Sequence, residues 1–159
     1  MIGSWIGKEI PTGHPMDGLL TLCPWRGKQF VDSETVHPLV FNHRSGSTYY
    51  LNPDQIFKYI NLILRSKILK KRINSEKTAD PHAFDWLLKR FKTPHSKARL
   101  RVISYRNAQT AAMVYDHVAI IDVFKRIDEN TLLGVMDVKH LLKDKSYFFL
   151  LEKDTTNNL

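Results

Sequence analysis

The sequence predicts a mainly β protein, an antiparallel β-barrel with an inserted amphipathic helical pair. Three observations predict it. The C-terminal third alternates apolar and polar residues between closely spaced turns, the N-terminal third offers short strands punctuated by Gly and Pro, and the middle changes to helical spacing. A meander of nine or ten short strands would expose long edges unless it closed, so a closed barrel is favoured over an open sheet with both helices on one face. At 159 residues, 43% hydrophobic and 25% charged, the chain fits one soluble domain with a core of its own, which excludes wholly disordered, collagen-like and disulfide-built classes.

Residues 1–51 hold strand candidates at Ile2–Ile10, Lys28–Val31, Pro38–Asn42 and Ser47–Leu51. Residues 52–93 form the helical insertion. Asn52 reads as an N-cap with Pro53 at the first helical position, and apolar residues recur at Ile56, Ile60 and Ile63 and at Phe57, Leu64 and Ile68, which predicts about five turns ending near Asn74. A second helix starts at Asp80-Pro81, carries Phe84, Leu87, Leu88 and Phe91 on one face, and stops at Thr93-Pro94. Residues 94–159 form the meander, with strands near Arg99–Arg106, Gln109–Asp116, Ala119–Ile127, Thr131–Val138 and Ser146–Lys153.

The net charge of +8 is unevenly spread. From Lys58 to Arg101 thirteen Lys or Arg face three acids, a local +10, so the remaining residues carry −2. The basic segment 58–101 therefore predicts a local contact, and its mixture of Ile, Leu and cations fits weak attachment to an anionic membrane surface. It matches no nucleic-acid module and lacks the interleaved stacking aromatics of single-strand binders, which makes nucleic acid the least favoured partner. The one cysteine, Cys23, cannot form an internal disulfide, and no leader opens the chain. A cytoplasmic protein is expected. No apolar run approaches the ~20 residues of a membrane span.

The chain opens with Gly3-Ser4-Trp5-Ile6-Gly7, in which a Trp at the head of the first strand is placed to plug a barrel floor. Further blocks follow at Pro11-Thr12-Gly13-His14-Pro15-Met16-Asp17-Gly18-Leu19-Leu20, at Trp25-Arg26-Gly27-Lys28-Gln29-Phe30 and at Val36-His37-Pro38-Leu39-Val40-Phe41. Near the other end stand Met113-Val114-Tyr115-Asp116 and Ile120-Ile121-Asp122-Val123-Phe124. Together they resemble the bacterial and fungal proteins named for a GXWXG motif and followed by a second domain of unknown function. The resemblance covers nearly the whole chain, with the helical stretch as its variable part. It implies a lipocalin/calycin-like or nitrobindin-like small barrel and assigns no activity. Similar proteins carry a short helical leader before the Gly-x-Trp, whereas Met1 lies directly before it here, which predicts that a lid at the barrel mouth is missing.

Candidate site residues are those whose chemistry is out of place in a plain barrel. His14 and Asp17 lie in a Gly- and Pro-flanked loop, and His37 opens another such segment; each could equally hold its own backbone in shape. Period-two alternation puts Asp122 on one face with Ile120 and Phe124, in mid-strand, where a carboxylate must find a partner or shift its pKa. Its alternatives are a structural hydrogen bond, an ion pair with an Arg, or a role in a pocket. Asp116 and Asp137 stand at strand ends within reach of water. Trp25, Tyr115 and Asp116 complete the expected ligand-binding set of His14, Asp17, Trp25, His37, Tyr115, Asp116 and Asp122. The spacing of His14 and His37 fits no metal motif, and no second cysteine is present for zinc.

The leading functional expectation is binding of a small apolar or aromatic ligand in the barrel cavity. A second is a cofactor-independent acid–base enzyme of isomerase, decarboxylase or hydratase type, with His14 as acid or base, Asp17 orienting it and Asp122 or Asp116 as the carboxylate. No nucleophile elbow, phosphate loop or kinase motif set occurs. A third, drawn from the nitrobindin likeness, places haem in the cavity on His14 or His37.

Overall fold

In a computed structural model that describes residues 1–65, 80–82, 85–139 and 146–156, with side chains given to Tyr59 in the first helix, nine antiparallel strands form one sheet and eight of them close into a ring. They are β1 (Gly3–Ile10), β2 (Trp25–Phe30), β3 (Val36–Asn42), β4 (Thr48–Tyr50), β5 (Ala98–Tyr105), β6 (Ala108–Tyr115), β7 (Ile120–Arg126), β8 (Thr131–Val138) and β9 (Tyr147–Lys153). Between β4 and β5 come α1 (Pro53–Arg65), α2 (Asp85–Leu88) and a 3-10 turn, Lys89–Phe91. The strand order is β2-β1-β9-β8-β7-β6-β5-β3-β4, and β2 also pairs with β3. The two ends of the chain meet in the wall: Trp5 lies opposite Lys153 and Ile10 opposite Phe148. The ring is completed where β3 meets β5 at the single register pair Val36 and Ala98. β4 lies outside the ring as a hairpin partner of β3.

Alternation gives the ring its inside. Trp5 and Glu9 of β1, Lys28 and Phe30 of β2, Met113 and Tyr115 of β6, Ile120, Asp122 and Phe124 of β7, Leu132 and Met136 of β8, and Tyr147, Phe149 and Leu151 of β9 are all buried. Edge-to-face contacts fill the centre, with ring centroids of Phe30 and Phe124 5.8 Å apart and those of Phe124 and Phe149 6.2 Å apart. A second apolar cluster, Leu39, Phe41, Tyr49 and Leu51, lies beside it under the helices, which cover it with Ile56, Leu88 and Phe91. Phe57 reaches the barrel core itself, its ring 6.4 Å from that of Tyr115.

The predicted strands match closely, Thr131–Val138 residue for residue. Three differences have physical reasons. β2 starts at Trp25 and not Lys28, because Gly27 is an irregular strand position with φ +141 and not a turn. β3 starts at Val36 and keeps Pro38 inside it, next to a register shift against β2, which is where a residue without an N–H is tolerated in a sheet. The β5–β6 turn falls at Arg106 and Asn107, both with positive φ, as a two-residue hairpin of the primed type requires.

Asn52 does cap α1: its Oδ1 accepts the Asp54 N–H at 3.0 Å. The part of the predicted first helix from residue 66 to 74 lies outside the described residues, as do Lys67, Lys70, Lys71 and Arg72 of the basic segment. The second helix is shorter than expected. Residues 80–82 form a turn in which Asp80 Oδ1 accepts the His82 N–H; Phe84 lies outside the described residues, and among those described before the 3-10 turn only Asp85–Leu88 is helical. No helix among the described residues is long and apolar enough to cross a membrane.

Candidate functional site

Inside the apolar wall stand charged groups. Lys28 and Asp122 face each other from β2 and β7 with Nζ 2.8 Å from Oδ2, and their side chains are 4% and 2% exposed. Lys28 also donates to the Pro38 carbonyl oxygen at 3.2 Å, a group offered where β3 shifts register, and its Nζ lies 4.9 Å above the Phe149 ring. The Tyr115 hydroxyl donates to Asp122 Oδ2 at 3.3 Å. Burial, with the Asp122 carboxylate beside it, pushes the Tyr115 phenol well above its usual pKa and keeps it a donor. The other carboxylate oxygen, Asp122 Oδ1, is buried and has no hydrogen-bond partner among the described residues.

A second polar group lies further along the wall. The Tyr147 hydroxyl donates to Glu9 Oε1, while Thr21 donates to Glu9 Oε2 from its hydroxyl and from its N–H at 2.7 Å. The His14 ring packs against the Tyr147 ring at 5.5 Å. Burial raises the Tyr147 pKa strongly, and the charges of Glu9, Asp17 and Asp122 add to it, which places this phenol in the field of three carboxylates.

The loop between β1 and β2 positions His14. Asp17 Oδ2 accepts backbone N–H groups from Thr12, Gly13 and His14 at 2.8, 2.7 and 3.0 Å, so one carboxylate shapes the turn. His14 Nδ1 accepts the Met16 N–H at 3.1 Å, which leaves the ring proton on Nε2.

The predicted site residues thus divide. His14, Tyr115 and Asp122 line or abut the interior polar groups, and Asp17 holds the loop that carries His14. Trp25 lies over Gly7, its ring edge-on to Phe149 at 6.3 Å and its Nε1 donating to the Gly27 carbonyl oxygen at 3.0 Å. Asp116 does not join the group: it pairs with Arg99 at 3.2 Å and is partly exposed. His37 stacks on Tyr50, ring centroids 3.7 Å apart, away from His14, and burial lowers its pKa. His14 and His37 stand in separate places, so a haem on either one would be held by that histidine alone. Of the three alternatives the sequence leaves open for Asp122, the structure shows an ion pair, with Lys28 in place of an arginine. The carboxylate that the structure brings towards His14 is Glu9, through Tyr147.

Sequence reasoning misses Lys28, Glu9 and Tyr147. Glu9 is within reach of the same argument that finds Asp122, since it shares a face with Trp5 and Gly7. Lys28 is hidden because the predicted strand Lys28–Val31 puts it at a strand end, where a lysine reads as reaching water, whereas the observed strand starts at Trp25 and places it inside.

From outside, a cleft of about 70 Å³ reaches the wall beside the ion pair, lined by Ser4, Arg26, Lys28, Gln29, Thr48 and Tyr50 among others. Arg26 is held by Asp154, and Tyr50 donates to Gln29 Oε1 at 2.7 Å. Lys28 therefore stands in both the barrel interior and the cleft wall. Among the described residues no group of three or more His, Cys, Asp or Glu is arranged to hold a metal ion.

No curated protein matches the chain. A crystal structure of a protein from Thermomonospora curvata is similar to it, with a TM-score of 0.64 and 25% identity over 97% of this chain and 75% of that one. Residues 1–46 match the family model described as GXWXG protein, and residues 96–153 match Domain of unknown function (DUF4334). The two matched segments supply β1 to β3 and β5 to β9, the strands that carry Glu9, Lys28, Tyr115, Asp122 and Tyr147, so the chain is a GXWXG protein with a C-terminal domain of unknown function.

Proposed function

We propose that the chain binds a small ligand at the Lys28–Asp122 pair, the ligand's polar head reaching it from the cleft and its apolar part lying against the Tyr115 and Phe149 rings. One observation carries this reading: among the described residues, none donates to the buried Asp122 Oδ1. A buried carboxylate oxygen left unpaired costs on the order of 1–3 kcal/mol, which a ligand hydroxyl, amine or bound water would recover. The filled aromatic centre favours a small ligand over the long apolar one that an open barrel cavity would take.

The test is a thermal-shift panel of short-chain and aromatic alcohols, carboxylic acids and carbonyl compounds, with fatty acids and retinoids as large comparators. A ligand at a hundred times its Kd stabilises by about 2.7 kcal/mol, or roughly 5–11 °C for a chain of this size. The shift should vanish in Asp122→Asn, measured against that variant's own baseline. Small ligands that leave the wild-type midpoint unmoved would refute the reading.

A second reading, acid–base catalysis on the bound ligand, is favoured by the contact of Glu9, Tyr147 and His14. Tyr147 is a proton donor held by a carboxylate, and the His14 imidazole beside it is a group of the kind that relays protons. Conversion of a bound ligand, lost in Glu9→Gln with binding retained, would establish it.

A further inference from the structure

We propose that Lys28 captures a carbonyl ligand, a small aldehyde or ketone, as a covalent imine, with Asp122 as its proton partner. The inference rests on the binding reading above and names the class of ligand and the bond it forms.

Lys28 is placed as a reactive amine would be. Its ammonium sits among aromatic rings with one carboxylate oxygen at 2.8 Å and a carbonyl at 3.2 Å, and Lys28 is also one of the residues that line the cleft in the wall. The fold gains little from such a pair, since apolar residues of like volume commonly replace a buried ion pair without loss of stability. Attack on a carbonyl needs the amine without its extra proton, and Asp122, with Oδ2 at 2.8 Å from Nζ, is the group placed to receive that proton.

The step balances within these residues. The Lys28 nitrogen lone pair attacks the carbonyl carbon, the C=O electron pair moves to oxygen, and a proton passes from nitrogen to that oxygen to give the carbinolamine. The carbinolamine hydroxyl takes the proton held by Asp122 and leaves as water while the nitrogen lone pair forms the C=N bond. The product is a protonated imine beside the Asp122 carboxylate, with one water released into the cleft. The two oxygens of Asp122 divide the work. Oδ2 faces Lys28 and Tyr115, and Oδ1 has no other partner among the described residues to displace when the carbinolamine hydroxyl arrives. Tyr115, kept protonated, holds Oδ2 in place.

The test is reductive trapping of the folded protein with benzaldehyde or propanal and cyanoborohydride, followed by peptide mass spectrometry. The expected result is label on Lys28 at least about tenfold faster than on the exposed lysines Lys89 and Lys125, the effect of proximity to an internal acid. The preference should disappear in urea and in Asp122→Asn, with exposed-lysine labelling unchanged. Label on exposed lysines with Lys28 unmodified would overturn the proposal, and because it is read in the wild-type chain it does not depend on a variant folding. Benzyl alcohol separates the two ideas. If it raises the melting point while Lys28 stays unlabelled, the carbonyl inference falls and ligand binding stands; if it raises nothing and Lys28 is unlabelled, both fall.

Discussion

The indole of Trp25 occupies the space that a β-carbon on Gly7 would need. The last glycine of the Gly3-Ser4-Trp5-Ile6-Gly7 block is therefore a seat for an aromatic ring eighteen residues on. Gly7→Ala should destabilise by about 1–3 kcal/mol, the usual cost of overpacking, and Trp25→Leu should relieve much of that cost in the double variant. Chemical denaturation of the two single variants and the double one checks it.

Trp5 is 5% exposed and its Nε1 donates to the Met1 carbonyl oxygen at 2.7 Å. Trp5→Ala should cost about 3–5 kcal/mol. A denaturation midpoint equal to that of the wild type would refute its role in closing the core.

Breaking the Lys28–Asp122 pair from one side strands a buried charge. Lys28→Met or Asp122→Leu alone should lower stability by about 3–5 kcal/mol, whereas the double change should be close to neutral or stabilising. Calorimetric melting points should separate single from double variants by roughly 6–20 °C.

Burial pushes the Cys23 thiol up to about 12, and the Tyr115 and Tyr147 phenols are raised as well. Each is an acid whose folded pKa exceeds its unfolded value, so its contribution to stability is complete below the unfolded pKa and is lost as pH rises above it. For the tyrosines that loss starts above about pH 10. A pH series should show stability falling on the alkaline side, with tyrosinate absorbance from these two residues appearing only as the chain unfolds. At neutral pH, iodoacetamide should alkylate Cys23 slowly in the folded chain and faster in denaturant.

Much of the barrel is legible in the sequence because strand alternation is a local signal. Thr131–Val138 carries its period within eight residues, and Asp122 stands out because Ile120 and Phe124 flank it at the same period. Partnership cannot be read locally. Nothing near Asp122 in sequence points to Lys28, ninety-four residues earlier, since their meeting depends on the ring closing. Tyr147 reads as core filling within an apolar run, and its hydroxyl acquires a role only because β9 lies beside β1 and so brings Glu9 to it. Asp17 shows the reverse: a charged residue in a Gly- and Pro-flanked loop attracts a functional reading, and its Oδ2 is taken up by three backbone N–H groups of its own loop.

β3 divides its edge between two neighbours, β4 along Val40 to Asn42 and β5 at Val36 alone. Against β5 it is secured by little else: the Lys97 N–H reaches the Val36 carbonyl, the Leu100 N–H reaches Ser33, and Arg101 clasps Glu34. Every other junction of the wall has at least three register pairs, with seven between β7 and β8 and eight between β5 and β6. The cylinder therefore has a seam, and thermal breathing will concentrate there. The Lys97 and Leu100 amides should exchange with deuterium well before those of β7 and β8, and the Phe30 and Tyr115 rings would be the first of the interior to meet water when the seam parts.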